Sequence, residues 1–280
     1  MSLRKKVFLY ILVTILFLIL LMSLTSNFLA MKAFEGVERR FFEQDMARVR
    51  SRLAEELHIV GRYAFDWGAW DSMYLFMERK EPSRFQEMLD PMSLRALGLD
   101  ILAVVDTDLS PVVAYSVTET GGEKKLSPET IAGLKALAPD LLKAASDGYL
   151  RDILLLGDDL YLAGVSPILL TNHMGPSRGF LLTGSALKKK IPEIAASLGT
   201  RFSVVPAPGA APAEGSVEIT TDSSGMATVR QRWQKFLDQA PPLEIRLTEP
   251  REIYTEGRRA IFHSYLWIFL SGGGILLVVM

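Results

Sequence analysis

The sequence has no cysteine in its 280 residues, only three histidines, and no proline before Pro82. Without cysteine there is no disulfide framework, which is compatible with an oxidising exterior but does not require one. His58, His173 and His263 stand far apart with no second histidine at ligand spacing, so no metal site is expected. Neither charge sign is in excess, since 31 Lys+Arg face 32 Asp+Glu, and bulk electrostatics therefore gives no reason to expect nucleic acid as a partner. There is no P-loop, nucleophile elbow, zinc-binding helix or internal repeat. Nothing in the residue pattern argues for catalysis or for a cofactor.

What the chain has in quantity is apolar residues, 49% of the total, gathered at its two ends. Residues 7–30 ("VFLYILVTILFLILLMSLTSNFLA") carry no charge and are long enough to cross a hydrocarbon core of roughly 30 Å, which needs about 20 helical residues. Residues 261–280 ("IFHSYLWIFLSGGGILLVVM") form a second run of spanning length. A cleaved signal peptide is the alternative for the first run, but "NFLAMKAF" is a poor cleavage site and the run is long for a signal core. Arg4, Lys5 and Lys6 place residues 1–6 in the cytoplasm and residues 31–260 outside; Arg258 and Arg259 lie on the wrong side of the second run for this rule. The second run stops at Met280 with no charged anchor after it, so the chain is expected to continue into the cytoplasm.

Between the spans, Val37, Phe41, Met46, Val49, Leu53, Leu57, Val60, Ala64 and Trp67 recur mostly at steps of three and four, which predicts a long helix over 31–80. Its stripe needs a partner, either the core of its own domain or the same helix of a second copy. The stripe Val49, Leu53, Leu57, Val60 predicts a parallel homodimer with these helices near the two-fold axis. "LDILAVVD" and "SPVVAYSV" read as a hairpin, and Ser127-Pro128-Glu129 opens a helix toward Ser146. "DILLLG", "DLYLAGVSPILL" and "GFLLTGSAL" read as strands, with a β-turn at Gly157 to Asp159 and a turn in "TNHMGPSRG". A helix over 188–198, a strand "RFSVVP", a small-residue loop over 207–215, a strand pair "SVEITTD" and "ATVRQRW", and a helix from near Pro250 complete an antiparallel α+β pattern.

"DWGAWDSMYLF", "LRALGLDILAVVD" and "GVSPILLTNHMGPSRGFLLTGSAL", in that order over roughly residues 60 to 205, resemble the fourth type of CHASE domain, the extracellular sensory domains that lie between two spans in cyclases and histidine kinases. The family pattern Asp-Trp-Ala-x-Trp-Asp-Asp-x-Tyr falls on Asp66 to Tyr74, with Ser72 in place of the second aspartate, and Asp108-Leu109-Ser110 lacks the glycine usual at that hairpin turn. The resemblance implies a PAS- or Cache-like antiparallel sheet behind the long N-terminal helix, flanked by two transmembrane helices. It also implies a place in the cytoplasmic membrane of a bacterium or archaeon, and a diguanylate cyclase or histidine kinase effector after Met280.

If residues 63–77 form one helix, Trp67, Trp70, Asp71 and Tyr74 share an arc of roughly 100°, while Asp66 lies about 140° from Asp71. Two carboxylates so placed cannot flank one bond, which disfavours a tethered hydrolase. A carboxylate among aromatics either bonds a backbone amide or polar tip and locks helix to sheet, or faces a cavity suited to a small polar or cationic ligand; a helix that has already ended at Gly68 is the third alternative and would turn Asp66 into a cap. Asp66, Trp67, Trp70, Asp71 and Tyr74 are the candidate ligand residues. The expected function is an input module for transmembrane signalling; the alternatives are a membrane-anchored scaffold and a tethered periplasmic enzyme. Two flanking spans favour signalling, because an anchor needs one helix whereas a signal enters by one and leaves by another.

Overall fold

The computed structural model describes residues 3–207, 212–213, 215–234, 237 and 240–279. Part of the predicted loop over 207–215 thus lies outside the described residues, as do Met1, Ser2 and Met280. The elements in chain order are α1 (Leu3–Gly68), α2 (Asp71–Arg79), α3 (Pro82–Met88), α4 (Pro91–Ala96), β1 (Ile101–Val105), β2 (Pro111–Val117), β3 (Glu123–Lys125), α5 (Pro128–Ser146), β4 (Leu150–Leu156), β5 (Asp159–Pro167), β6 (Phe180–Ala186), α6 (Leu187–Leu198), β7 (Phe202–Pro206), β8 (Val217–Thr221), β9 (Met226–Arg232), β10 (Leu243–Pro250) and α7 (Glu252–Val279). The chain divides into two compact units, Met46–Glu218 with Arg230–Leu247, and Met1–Asp45 with Ile219–Val229 and Thr248–Met280.

In the larger unit a six-stranded antiparallel sheet runs in the order β3-β2-β1-β6-β5-β4. β1 and β6 are buried along their whole length, as happens when both faces of a sheet are covered. One face takes α5, whose Leu134, Leu137, Ala138 and Leu141 pack with Ile101, Leu154, Phe180 and Leu182 in one core. α5 starts where its residues predict: Ser127 Oγ accepts the Thr130 N–H at 3.1 Å, and Pro128 occupies the first turn. The other face takes α1. There Gly164 of β5 lies against the helix so closely that a Cβ on it would stand 2.6 Å from Gly61 Cα and 2.9 Å from the Val60 carbonyl oxygen, and the buried Thr183 hydroxyl donates to that same carbonyl at 3.2 Å.

This packing corrects the expected dimer seam. Val49, Leu53, Leu57 and Val60 are buried inside their own chain, at 0 to 4% exposure. The helical period was right about a buried face, and its cover comes from the same chain.

The predicted β1–β2 hairpin forms, with Leu109 at its turn in a left-handed conformation (φ 66°) where the family pattern has glycine. Asp108 Oδ1 accepts the Ser110 N–H at 2.9 Å, holding that turn closed. The GDD turn is a two-residue connection between β4 and β5, with Leu156 opposite Asp159. Strands β7, β8, β9 and β10 form a second sheet in the order β7-β10-β9-β8. Sequence pattern missed β10, and one of its residues is the reason it stands out now. Glu244 is 0% exposed, and its carboxylate accepts from Arg230 at 2.7 Å and from Arg246.

Burial opposes the charge on Glu244, but the hydrogen bonds from Arg230 and Arg246 outweigh it and hold the carboxyl below its ordinary value of 4.5. A carboxyl with a lowered folded pKa contributes stability above its unfolded value, and that contribution is lost as pH falls through the lowered value. Urea midpoints are therefore expected to fall on the acid side of that ordinary value. Glu244→Gln leaves two guanidiniums facing a neutral amide. It should cost about 3 kcal/mol at neutral pH and flatten the acid limb. An unaltered acid limb in the variant rejects this assignment.

In the smaller unit, α1 carries the stretch, with mean hydropathy 2.2, that is long and apolar enough to cross a membrane. Glu38 of α1 is 3% exposed and grips the start of α7: one carboxylate oxygen accepts from Arg251 Nε at 2.8 Å, the other from the Tyr254 N–H at 3.1 Å. The Tyr254 amide belongs to the first turn of α7, where no intrahelical carbonyl is available, so the acid of one helix caps another. The Arg251 guanidinium also lies 4.0 Å from the Tyr254 ring centre. Gly257 then lets the two helices touch, since a Cβ there would lie 2.5 Å from the Phe34 ring.

Candidate functional site

The expected single helix over residues 63–77 does not form. α1 ends at Gly68, Trp70 is extended (φ −89°, ψ 130°), and α2 starts at Asp71. The cause is distant in sequence. The Gly68 carbonyl accepts the Leu169 N–H at 2.9 Å in place of a helical partner, and a Cβ at position 68 would stand 2.8 Å from the Pro167 carbonyl oxygen. Only glycine lets α1 end this close to the end of β5.

The break redistributes the five candidate residues. Trp67 is buried, stacked on Tyr63 at 5.6 Å between ring centres, and tilted against the half-buried Trp70 at 6.3 Å. Asp66 is exposed at the end of α1, apart from the others. Asp71 is exposed too, in the first turn of α2. Its Oδ1 accepts the Thr171 N–H at 2.9 Å, and its own N–H donates to Thr171 Oγ1 at 3.3 Å, a reciprocal pair. Tyr74 is buried, with the Arg178 guanidinium 3.9 Å from its ring centre. Arg178 also donates to the Tyr74 carbonyl at 3.1 Å and to Glu78 at 3.3 Å.

Thr171 and Arg178 both belong to the β5–β6 connection, residues 168–179, which works as a strap across the helix break. Leu169 holds Gly68, Thr171 holds Asp71, His173 stacks on Phe65 at 5.0 Å, and Arg178 closes on Tyr74 and Glu78. Sequence reasoning read residues 168–170 as the end of a strand and 171–179 as a turn, whereas β5 ends at Pro167. The available signal was an arginine and a threonine among small residues between two buried strands. Beyond the strap, Lys80 ends α2 in a left-handed conformation and pairs with Asp106 at the end of β1. Burial works against the Asp106 charge, but Lys80 and the Thr107 N–H and hydroxyl hold its carboxyl below the ordinary range.

The five candidate residues line neither of two clefts in the larger unit. One, of about 310 Å³, is walled by Arg95, Lys189, Lys190, Asp100, Glu119 and Glu193, and its charges balance. The other, of about 400 Å³, lies between α1, the start of β4 and Trp233. Among the described residues no group of three or more His, Cys, Asp or Glu is placed to hold a metal ion.

A family model for the CHASE4 domain matches residues 52–204, more than half of the chain and the whole of the strap. The chain is 24% identical over its full length to the methanogenesis regulatory histidine kinase FilI of Methanothrix harundinacea (strain 6Ac), spanning 32% of that protein. Among solved structures it shares its fold with the extracellular domain of vpHK1S-Z8, at a TM-score of 0.53 and 12% identity, over 79% of this chain and 95% of that one. The periplasmic domain of Vibrio cholerae LuxQ aligns at a TM-score of 0.47 and 12% identity, over 74% of this chain and 98% of that one.

Proposed function

We propose, because this chain belongs to the CHASE4 domain family, that it is the extracytoplasmic input part of a longer membrane receptor, binding a small molecule outside and passing a conformational signal to a cytoplasmic effector. The histidine kinase class is the effector favoured by the likeness to FilI, of which this chain matches about a third; a diguanylate cyclase is the other. Residues 31–260 lie outside the cytoplasmic membrane in this reading, and α7 carries the second span. Two copies pair through a face other than the Val49 to Val60 stripe, which is already buried within its own chain.

The observation that carries the reading is the strap. α1 begins in the apolar stretch suited to a membrane and ends where the strap grips it, so the closure of the strap on Gly68, Asp71 and Tyr74 is a local state that the helix can feel. Trp67 and Trp70 pack on one another at the break, and Asp66 stays available to solvent. A ligand that favours the closed or the open strap shifts the signal by its difference in affinity for the two.

Substitution at Asp71 tests this. Asp71→Asn keeps the shape and one acceptor, so the domain should stay folded with a loss of about 1 kcal/mol. Asp71→Ala removes the acceptor for the Thr171 amide and should release the strap. In a fusion of this chain to a histidine kinase core, Asp71→Ala is expected to change basal phosphorylation at least several-fold, and Asp71→Asn much less. Equal output from wild type, Asp71→Ala and Arg178→Ala removes the strap from the signalling path.

A further inference from the structure

We infer that the cleft of about 400 Å³ between α1, the start of β4 and Trp233 is a binding site for a small organic carboxylate with an apolar body and no ammonium group. Its volume is within the range of small-molecule sites. Among the described residues Arg50 and Arg151 line it, and no acid does; the remaining walls are largely apolar or aromatic, among them Leu57, Tyr149, Leu150 and Trp233. The other cleft sets bases against acids, whereas here, among the described residues, two guanidiniums meet no matching carboxylate.

The local bonds leave that charge in place. Arg151 is held by the His58 ring nitrogen, a neutral acceptor when it takes an arginine N–H, and its guanidinium lies 5.9 Å from the Tyr149 ring centre. Arg50 makes no hydrogen bond or ion pair among the described residues. The buried Asp152 is not among the cleft's described lining residues and is itself engaged, its Oδ1 accepting from Trp233 Nε1 at 2.9 Å and from the Ile153 N–H at 2.7 Å. Arginine presents a planar fork that matches a carboxylate in two parallel hydrogen bonds, and the pair is strongest where apolar walls exclude water. Tyr149 and Trp233 offer flat surfaces to the body of such a ligand. An amino acid fits less well, because its ammonium would meet two guanidiniums and no acid.

This deepens the sensory reading above by naming a ligand class, but its test is binding alone and does not depend on any signal. The whole chain in lipid nanodiscs is titrated with benzoate, phenylacetate, phenylalanine and inorganic phosphate, followed by thermal unfolding and by tryptophan fluorescence. Benzoate or phenylacetate is expected to raise the melting temperature saturably, phenylalanine and phosphate to have little effect. Arg50→Gln and Arg151→Gln should each weaken binding about tenfold to a hundredfold, and Arg95→Gln in the other cleft should not change it. Should Arg151→Gln unfold the chain through loss of the His58 contact, Arg50→Gln decides, since no bond among the described residues depends on it. The site is rejected by any of three results: no response to either carboxylate up to about 10 mM, binding unchanged in Arg50→Gln, or a phosphate response equal to that of benzoate. A kinase fusion that ignores Asp71→Ala yet binds benzoate through Arg50 rejects the strap and keeps the site.

Discussion

Gly164→Ala is expected to lower the stability of the larger unit by about 3 kcal/mol, the upper end of the usual cost of overpacking. The reason is what the new methyl would meet. Gly61 Cα at 2.6 Å, the Val60 carbonyl oxygen at 2.9 Å and Gly61 N at 3.0 Å are all backbone atoms of α1, and a helix backbone cannot step aside as a flexible side chain does. The helix would have to lift off β5, loosening the Thr183 bond to Val60 and the burial of Leu57 and Val60 with it. In a unit of this size the loss corresponds to roughly 6–12 °C in melting temperature. Gly36→Ala is the control. It lies in the same helix with nothing within 4 Å of the added carbon, so it should be neutral or stabilising by up to about 1 kcal/mol. Equal melting points for the two variants would show that α1 and β5 are not in backbone contact.

The second large effect concerns the smaller unit. Glu38→Ala removes both acceptors at the start of α7, leaving Arg251 partly buried beside an uncapped helix end, and should destabilise that junction by about 3 kcal/mol. The effect is local, so the measurement should be local too. Hydrogen exchange at the Tyr254 amide is expected to accelerate about a hundredfold while the amides of β1 and β6 keep their protection. An unchanged Tyr254 rate would mean that the amide is protected by something other than Glu38. Glu38→Gln, which retains one acceptor, should fall between.

The elements that could be read from sequence are those whose causes are local. α5 carries its own cap, proline and acid within three residues, and the β1–β2 and β4–β5 hairpins have their turns between their strands. The break at Gly68 stood only as an alternative to one continuous helix, because Leu169 and Pro167, about a hundred residues on, decide it. Periodicity likewise marked Val49 to Val60 as a buried face without naming what buries it. β10 alternates Leu243, Ile245 and Leu247 inward, but Glu244 is equally buried, and only Arg230 and Arg246 explain why. Of the candidate site, the aromatic and acidic residues were visible as a motif. A backbone amide as the partner of the carboxylate was one of the readings, but that it is the Thr171 amide, a hundred residues on, no residue pattern announces.

The position of β6 governs how this chain must assemble. It is the last strand of its sheet to be synthesised, yet it stands in the middle, pairing with β1 on one side and β5 on the other. Until Phe180–Ala186 emerges, the nascent chain holds the three-stranded meander β1–β2–β3 and the hairpin β4–β5, with β1 and β5 each lacking a neighbour, and α1 lacks the Thr183 hydroxyl that fastens it. Joining β1 to β6 closes a loop of some eighty residues, a slow step of the kind that exposes intermediates to aggregation.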